Sequence, residues 1–202
     1  MGRVHGKYVI RRRTQFKNRA DYTGYKSILI EDFHNLCGYC GKNFDLISCA
    51  RQTDHFIPLD FCKKNGRKDL EDNYENLVNS CNVCNRNKWE DWPSQSFSSS
   101  HDGHIGYVDP ATNEFDEHLM RNDDGHIIPL TDVGMYMCKQ LKFNIRLIDI
   151  CWLVERLNDK LQKLDKKISE SEVSSDTYKE YYQVNKIFRE KIALLKKAKE
   201  ML

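Results

Sequence analysis

CNVCNRNK, residues 81–88, sets two cysteines three positions apart, follows the second at once with Asn85, and places Arg86 and Lys88 close behind. The x-x spacing lets two thiolates reach one ion from a tight turn, so the stretch reads as half of a tetrahedral metal site. CGYC, residues 37–40, is the other half, with Gly38 and Gly41 as turn-competent residues. Together Cys37, Cys40, Cys81 and Cys84 offer four thiolates to one structural Zn²⁺. The bland alternative is four buried cysteines packing as small hydrophobes; the identical spacing of the two pairs argues against it. Cys49, Cys62, Cys138 and Cys151 show no such spacing and read as core or incidental residues of a reducing compartment.

The two pairs bracket QTDHFIPL, residues 52–59, where Asp54 and His55 are adjacent, and ENLVNSC, residues 75–81, with Asn76 before Leu77. Asp54 is a hard oxygen ligand suited to Mg²⁺ or Mn²⁺. His55 is the side-chain type best suited to remove a proton near neutral pH. Asn85 offers a neutral oxygen ligand, and Arg86 and Lys88 offer positive charge to a strand. A zinc staple that gathers a base, a cation site and basic residues makes a site for attacking a phosphodiester. For His55 the competing reading is a satisfied structural histidine, and for Lys88 an ordinary exposed helix residue.

The order CGYC, DHFIP, ENLVNSCNVCNRNK resembles the HNH nucleases of the ββα-metal group, over about residues 33–92. The resemblance implies that His55 is the general base on water and that Asp54 binds the catalytic metal. It implies that Asn76 holds the loop between the strands so that the histidine is aimed. The third position of the motif is Asn85 rather than histidine, the HNN variation, in which the amide oxygen is the metal ligand. Against imidazole an amide shifts preference from Zn²⁺ or Ni²⁺ towards Mg²⁺ or Mn²⁺. On this reading Cys81 and Cys84 lock the start of a helix and hold Asn85 against Asp54. The segment DEHLMRNDDGHIIPLTDVGMYM, residues 116–137, loosely resembles stand-alone HNH proteins of prokaryotic anti-phage defence operons of the Septu type, which work with an ATPase partner.

Around this core the net charge of +2 conceals a pattern. Residues 1–30 carry eight Lys/Arg against one acid, residues 101–132 one against eight, and residues 133–202 fifteen against ten. Basic ends suit a polyanion, and Arg11, Arg12 and Arg13 in a row mark the first 30 residues as a nucleic-acid-binding arm. No window approaches the ~18 apolar residues of a membrane span, and the N-terminus MGRVHGKYVIRRR lacks the apolar run of a secretory signal. The expectation is a cytoplasmic protein that makes no membrane contact.

Four segments follow: a basic arm over 1–30, an HNH core over 31–92, an acidic region of loop and short strands over 93–131, and a helical region over 132–202. A helix is expected over 22–36, where Tyr25, Ile28, Leu29, Asp32, Phe33 and Leu36 recur at helical intervals. Asp123-Asp124-Gly125 predicts a turn between two short strands. Ile150, Val154, Leu157, Leu161, Leu164 and Ile168 form a seam of alternating four and three spacing. SESEVSSD breaks it, Thr177 with Glu180 resembles a capping box, and Phe188, Ile192, Leu195 and Leu202 supply the next apolar face. The seam suits a hairpin or coiled coil, and self-association through residues 141–202. Trp89, Trp92 and Trp152 read as core. His101, His104, His118 and His126 read as surface or structural, no two of them having i,i+4 spacing.

The expected fold is α+β: a zinc-stapled ββα-metal HNH core with a helical C-terminal region. The expected function is metal-dependent hydrolysis of phosphodiester bonds in nucleic acid, DNA rather than RNA. The alternative is a non-catalytic zinc module binding nucleic acid or a protein partner.

Overall fold

A computed structural model describes residues 2–46, 49–145, 147–170 and 174–200. The chain divides into two compact units, Met1–Arg146 and Leu147–Leu202.

In the first unit, Asp21 caps a 3₁₀ turn, Tyr22–Tyr25, by accepting from the Thr23 N–H at 2.8 Å. The turn runs into α1 (Lys26–Asp32), which buries Ile28 and Leu29. The helical pattern extends to Leu36, but the helix stops earlier. His34 and Asn35 take left-handed φ values of 50° and 58°, and the Asn35 N–H closes back on the Ile30 carbonyl at 2.8 Å. That reversal delivers the chain into the first cysteine pair.

Two strands follow, β1 (Arg51–His55) and β2 (Leu77–Cys81), paired antiparallel with Arg51 opposite Cys81 and His55 opposite Leu77. The connection carries α2 (Leu59–Lys64), which starts after Pro58, and two 3₁₀ turns, Lys68–Leu70 and Tyr74–Asn76. Immediately after β2 comes α3 (Asn82–Lys88), so the unit holds the ββα arrangement expected from the cysteine and Asp-His spacing. α3 ends at Trp89, whose φ of 47° turns the chain away. Trp92 enters the core, edge-on to Phe56 at 5.4 Å. Trp89 departs from the core expectation: it is 69% exposed, because the left-handed turn swings it off the packed face of α3.

Further along, α4 (Phe115–His118) leads into β3 (Leu119–Arg121), which pairs antiparallel with β4 (Ile127–Pro129) across the Asp123-Asp124-Gly125 turn. Thr131 caps α5 (Asp132–Gln140), its hydroxyl accepting from the Gly134 N–H at 3.1 Å. The N-terminal segment packs across this unit. Gly2 exchanges two backbone hydrogen bonds with Arg121, and Phe16 lies against Tyr25 and Tyr74. α5 belongs to the first unit, so the C-terminal unit starts at Leu147.

The second unit is a pair of helices, α6 (Ile148–Glu170) and α7 (Ser175–Glu200). The expected seam forms its core: Leu161, Leu164 and Val184 are buried, with Leu157, Tyr181 and Phe188 packed against them. Lys160 pairs with Glu180 at 2.6 Å. The cap of α7 is Ser174, whose hydroxyl accepts from the Thr177 N–H at 3.3 Å, so Thr177 lies within the first turn and does not cap. Leu202 lies outside the described residues.

Candidate active site

The four cysteines converge. Cys37, Cys40, Cys81 and Cys84 are fully buried, and their sulfurs all lie within 4.8 Å of one another. Cys40 and Cys81 Sγ are 3.9 Å apart, close to the ~3.8 Å edge of a tetrahedron with 2.3 Å Zn–S bonds. Backbone N–H groups point at the sulfurs, Cys81 N to Cys37 Sγ at 3.3 Å and Cys84 N to Cys81 Sγ at 3.4 Å. Such bonds favour the thiolate. Burial pushes the Cys37 and Cys84 thiols up, while Cys81 comes down to about 7, chiefly through its hydrogen bond with Cys37. Four buried sulfurs, with donors aimed at them, fit a closed zinc site.

The two glycines of the first turn serve different purposes. Gly41 takes φ +66°, and a Cβ there would stand 2.5 Å from the Val4 carbonyl oxygen. Gly38 is a packing glycine: a Cβ would meet the Phe33 ring at 2.8 Å and Val78 at 2.9 Å. Asn79 on β2 fastens the turn, accepting from Gly38 N through its backbone oxygen at 2.8 Å and donating its amide to Leu36 O at 2.7 Å. Arg121, buried, donates to the carbonyls of Cys40, Val4 and Gly125 and so ties the end of the first cysteine turn to the N-terminal segment and the β3–β4 turn.

The end of β1 carries Asp54 and His55, both buried. His55 Nε2 lies 2.8 Å from the Glu71 carbonyl oxygen. A carbonyl only accepts, so Nε2 carries the proton and the lone pair is left on Nδ1. Burial lowers the His55 pKa and keeps the ring neutral; the Tyr22 ring packs edge-on to it at 4.9 Å. Asn76 spans the loop that follows. It accepts from Ile57 N at 2.8 Å and donates to the Ile57 and Leu70 carbonyls, each at 3.1 Å.

Asp54 meets partners other than the expected one. Its Oδ2 accepts from Tyr39 OH at 2.5 Å and lies 3.3 Å from Lys88 Nζ. Asn85 donates its amide to Gln52 Oε1 at 2.7 Å. Gln52 and Asp54 share one face of β1, so α3 lays Asn85 over the first and Lys88, one turn on, over the second. Lys88 is 0% exposed and also donates to the His55 carbonyl at 2.8 Å. It therefore does not reach a bound strand, contrary to the expectation of a phosphate contact; its ammonium balances a buried carboxylate instead.

The basic arm also turns inward. Arg12 grips Asp109 through both terminal nitrogens and donates twice to the Leu77 carbonyl, with its side chain only 12% exposed. Arg13 pairs with Asp32 and Glu31. Arg11 is exposed and donates to Asn113 at 2.9 Å, and Arg86 is exposed on α3.

Beside Tyr22 opens a cleft of about 430 Å³ lined by Tyr22, Thr23, Lys26, Arg51, Gln52, Thr53 and Asn85. Lys26 and Arg51 were not legible as site residues, because neither falls within a motif; α1 and the start of β1 bring them together. Tyr39 carries no motif signal of its own beyond its place between the cysteines of the first pair. Glu114, the N-cap of α4, and His118, its last residue, stand i,i+4, a spacing visible once carboxylates are counted with histidines.

Residues 37–90 match the family model described as HNH endonuclease, and that match points to a nuclease or nucleic-acid-binding function. No curated protein and no solved structure matches the chain. No helix among the described residues is long and apolar enough to cross a membrane.

Proposed function

We propose that the chain is a divalent-metal-dependent endonuclease that hydrolyses phosphodiester bonds in nucleic acid, DNA rather than RNA, with His55 as the general base. The observation that carries this is the hydrogen bond from His55 Nε2 to the Glu71 carbonyl, which leaves a neutral ring with its basic nitrogen free. Asn76 positions the loop beyond His55 and does not itself meet the substrate. Both contacts to Asp54 fall on Oδ2, so Oδ1 and the amide oxygen of Asn85 are the donors that would hold Mg²⁺ or Mn²⁺. One anionic and one neutral oxygen suit a hard ion that keeps several waters. When bound, that ion supplies positive charge at the scissile phosphate and leaving oxygen. His55 takes the proton from the attacking water at Nδ1, and Lys88 holds Asp54 in place. Strand contacts fall to Lys26, Arg51 and Arg86, with Arg11 further along and the exposed Trp89 indole as a stacking surface.

The second reading, a non-catalytic zinc module, draws on the enclosure of Asp54 by Lys88 and Tyr39. Incubating plasmid, single-stranded DNA and RNA with Mg²⁺ or Mn²⁺, and scoring binding and cleavage in parallel, separates the two. Metal-dependent cleavage supports the enzyme; binding to a substrate without cleavage of any supports the module. On the resemblance of residues 116–137 the proposal extends to anti-phage defence in the cytoplasm with an ATPase partner. Residues 147–200 are assigned to self-association, with four large apolar side chains exposed on α7 (Tyr178, Tyr182, Ile187 and Leu194) as support.

A further inference from the structure

Outside the HNH domain, His101, Glu114 and His118 place their ligating atoms within 4.8 Å of one another. Both imidazoles aim Nε2 at the same carboxylate oxygen: His101 at 2.8 Å and His118 at 3.6 Å from Glu114 Oε1. The rings stand 5.3 Å apart at 62°, so the three groups surround a point instead of stacking. The two histidines are largely enclosed, and Glu114 opens to solvent. We propose that this trio is a second metal site, for a borderline divalent ion of the Zn²⁺ class.

The chemistry of the donor set selects the ion. Two imidazoles and a carboxylate suit Zn²⁺ and not Mg²⁺, and three protein ligands leave a position for water. An outer partner is in place for His118: its Nδ1 lies 2.5 Å from Thr131 Oγ1, an oxygen fixed by the Gly134 N–H. With Nδ1–H donated there, the Nε2 lone pair faces Glu114, the orientation a ligating histidine requires. His101 must change tautomer. Its Nδ1 accepts from the Gly103 N–H at 3.2 Å, so binding shifts the proton from Nε2 to Nδ1 and turns that N–H to solvent. Gly103 is exposed in a loop, which makes this exchange small. The bound ion clips the loop at His101 to α4 and through Thr131 to the start of α5.

The test is native mass spectrometry of the full chain titrated with ZnSO₄, for wild type, Glu114→Gln and His101→Ala. The four-cysteine ion serves as the internal reference, and circular dichroism reports folding. Wild type is expected to take two zinc ions, and both variants to stop at one while remaining folded. Cobalt substitution should give thiolate charge-transfer absorption in all three proteins, and additional weak bands free of sulfur character in wild type alone. The exposed, isosteric Glu114→Gln keeps the test valid if His101→Ala fails to fold. Wild type saturating at one ion, or a second ion retained by Glu114→Gln, overturns the site.

Discussion

At Asp54 a buried carboxylate, a buried ammonium and a phenol meet on one oxygen, and the stability of that group rests on Lys88. A buried pair contributes little net, but removing one partner strands the other charge at a cost of about 3–5 kcal/mol. Lys88→Met should therefore destabilise the protein by about that much in urea unfolding, and adding Asp54→Asn should recover a large part of the loss. Equal stability of the single and double variants would show that the ammonium supports the fold without Asp54. Asp54, His55 and Asn76 were singled out by residue type and order, and the fold brings Asp54 and His55 to the end of β1 with Asn76 bonded to the loop that follows. The burial of Lys88 was not: position 88 alone does not tell which face of a two-turn helix packs on the sheet. Likewise Asn85 was identified by its place after Cys84, but its contact with Gln52 depends on the register between α3 and β1.

α1 and the N-terminal segment show how elements absorb charge that composition leaves unassigned. The arm read as a free polyanion binder because a count of charges does not see that Arg12 finds Asp109 nearly a hundred residues away. Asp32, at the end of α1, accepts from the Arg13 backbone and side chain, each at 2.7 Å, and from Tyr74 OH. Burial pushes its carboxyl up, but these bonds outweigh burial and hold it below the ordinary 3.8. A depressed carboxyl stabilises the fold above its unfolded pKa, and that stabilisation is lost as pH falls through the folded value. Asp32→Asn should thus cost about 2 kcal/mol near pH 7, with the gap to wild type closing below pH 3.8. Thermal unfolding across that range checks it; a gap independent of pH contradicts a docked arm. By contrast, the zinc pairs, the ββα order and the α6–α7 seam were all legible, since each is written in local spacing.

For the whole molecule the proposed division is between a zinc-stapled unit that acts and a helical hairpin that assembles. The helical region was visible in the sequence pattern from residue 132, but the boundary of the second unit was not: α5 is helical by pattern and joins the first unit by packing. Truncation after residue 146 should leave a zinc-containing protein that still cleaves and no longer self-associates in light scattering. Unchanged mass in solution would remove assembly from residues 147–202. The central claim, that His55 is the base of a nuclease, is met most directly by single-turnover cleavage with wild type and His55→Ala at matched zinc content and melting temperature. The account predicts a rate lower by about 10²–10⁴ in the variant, with substrate binding retained; cleavage by His55→Ala at the wild-type rate would contradict it.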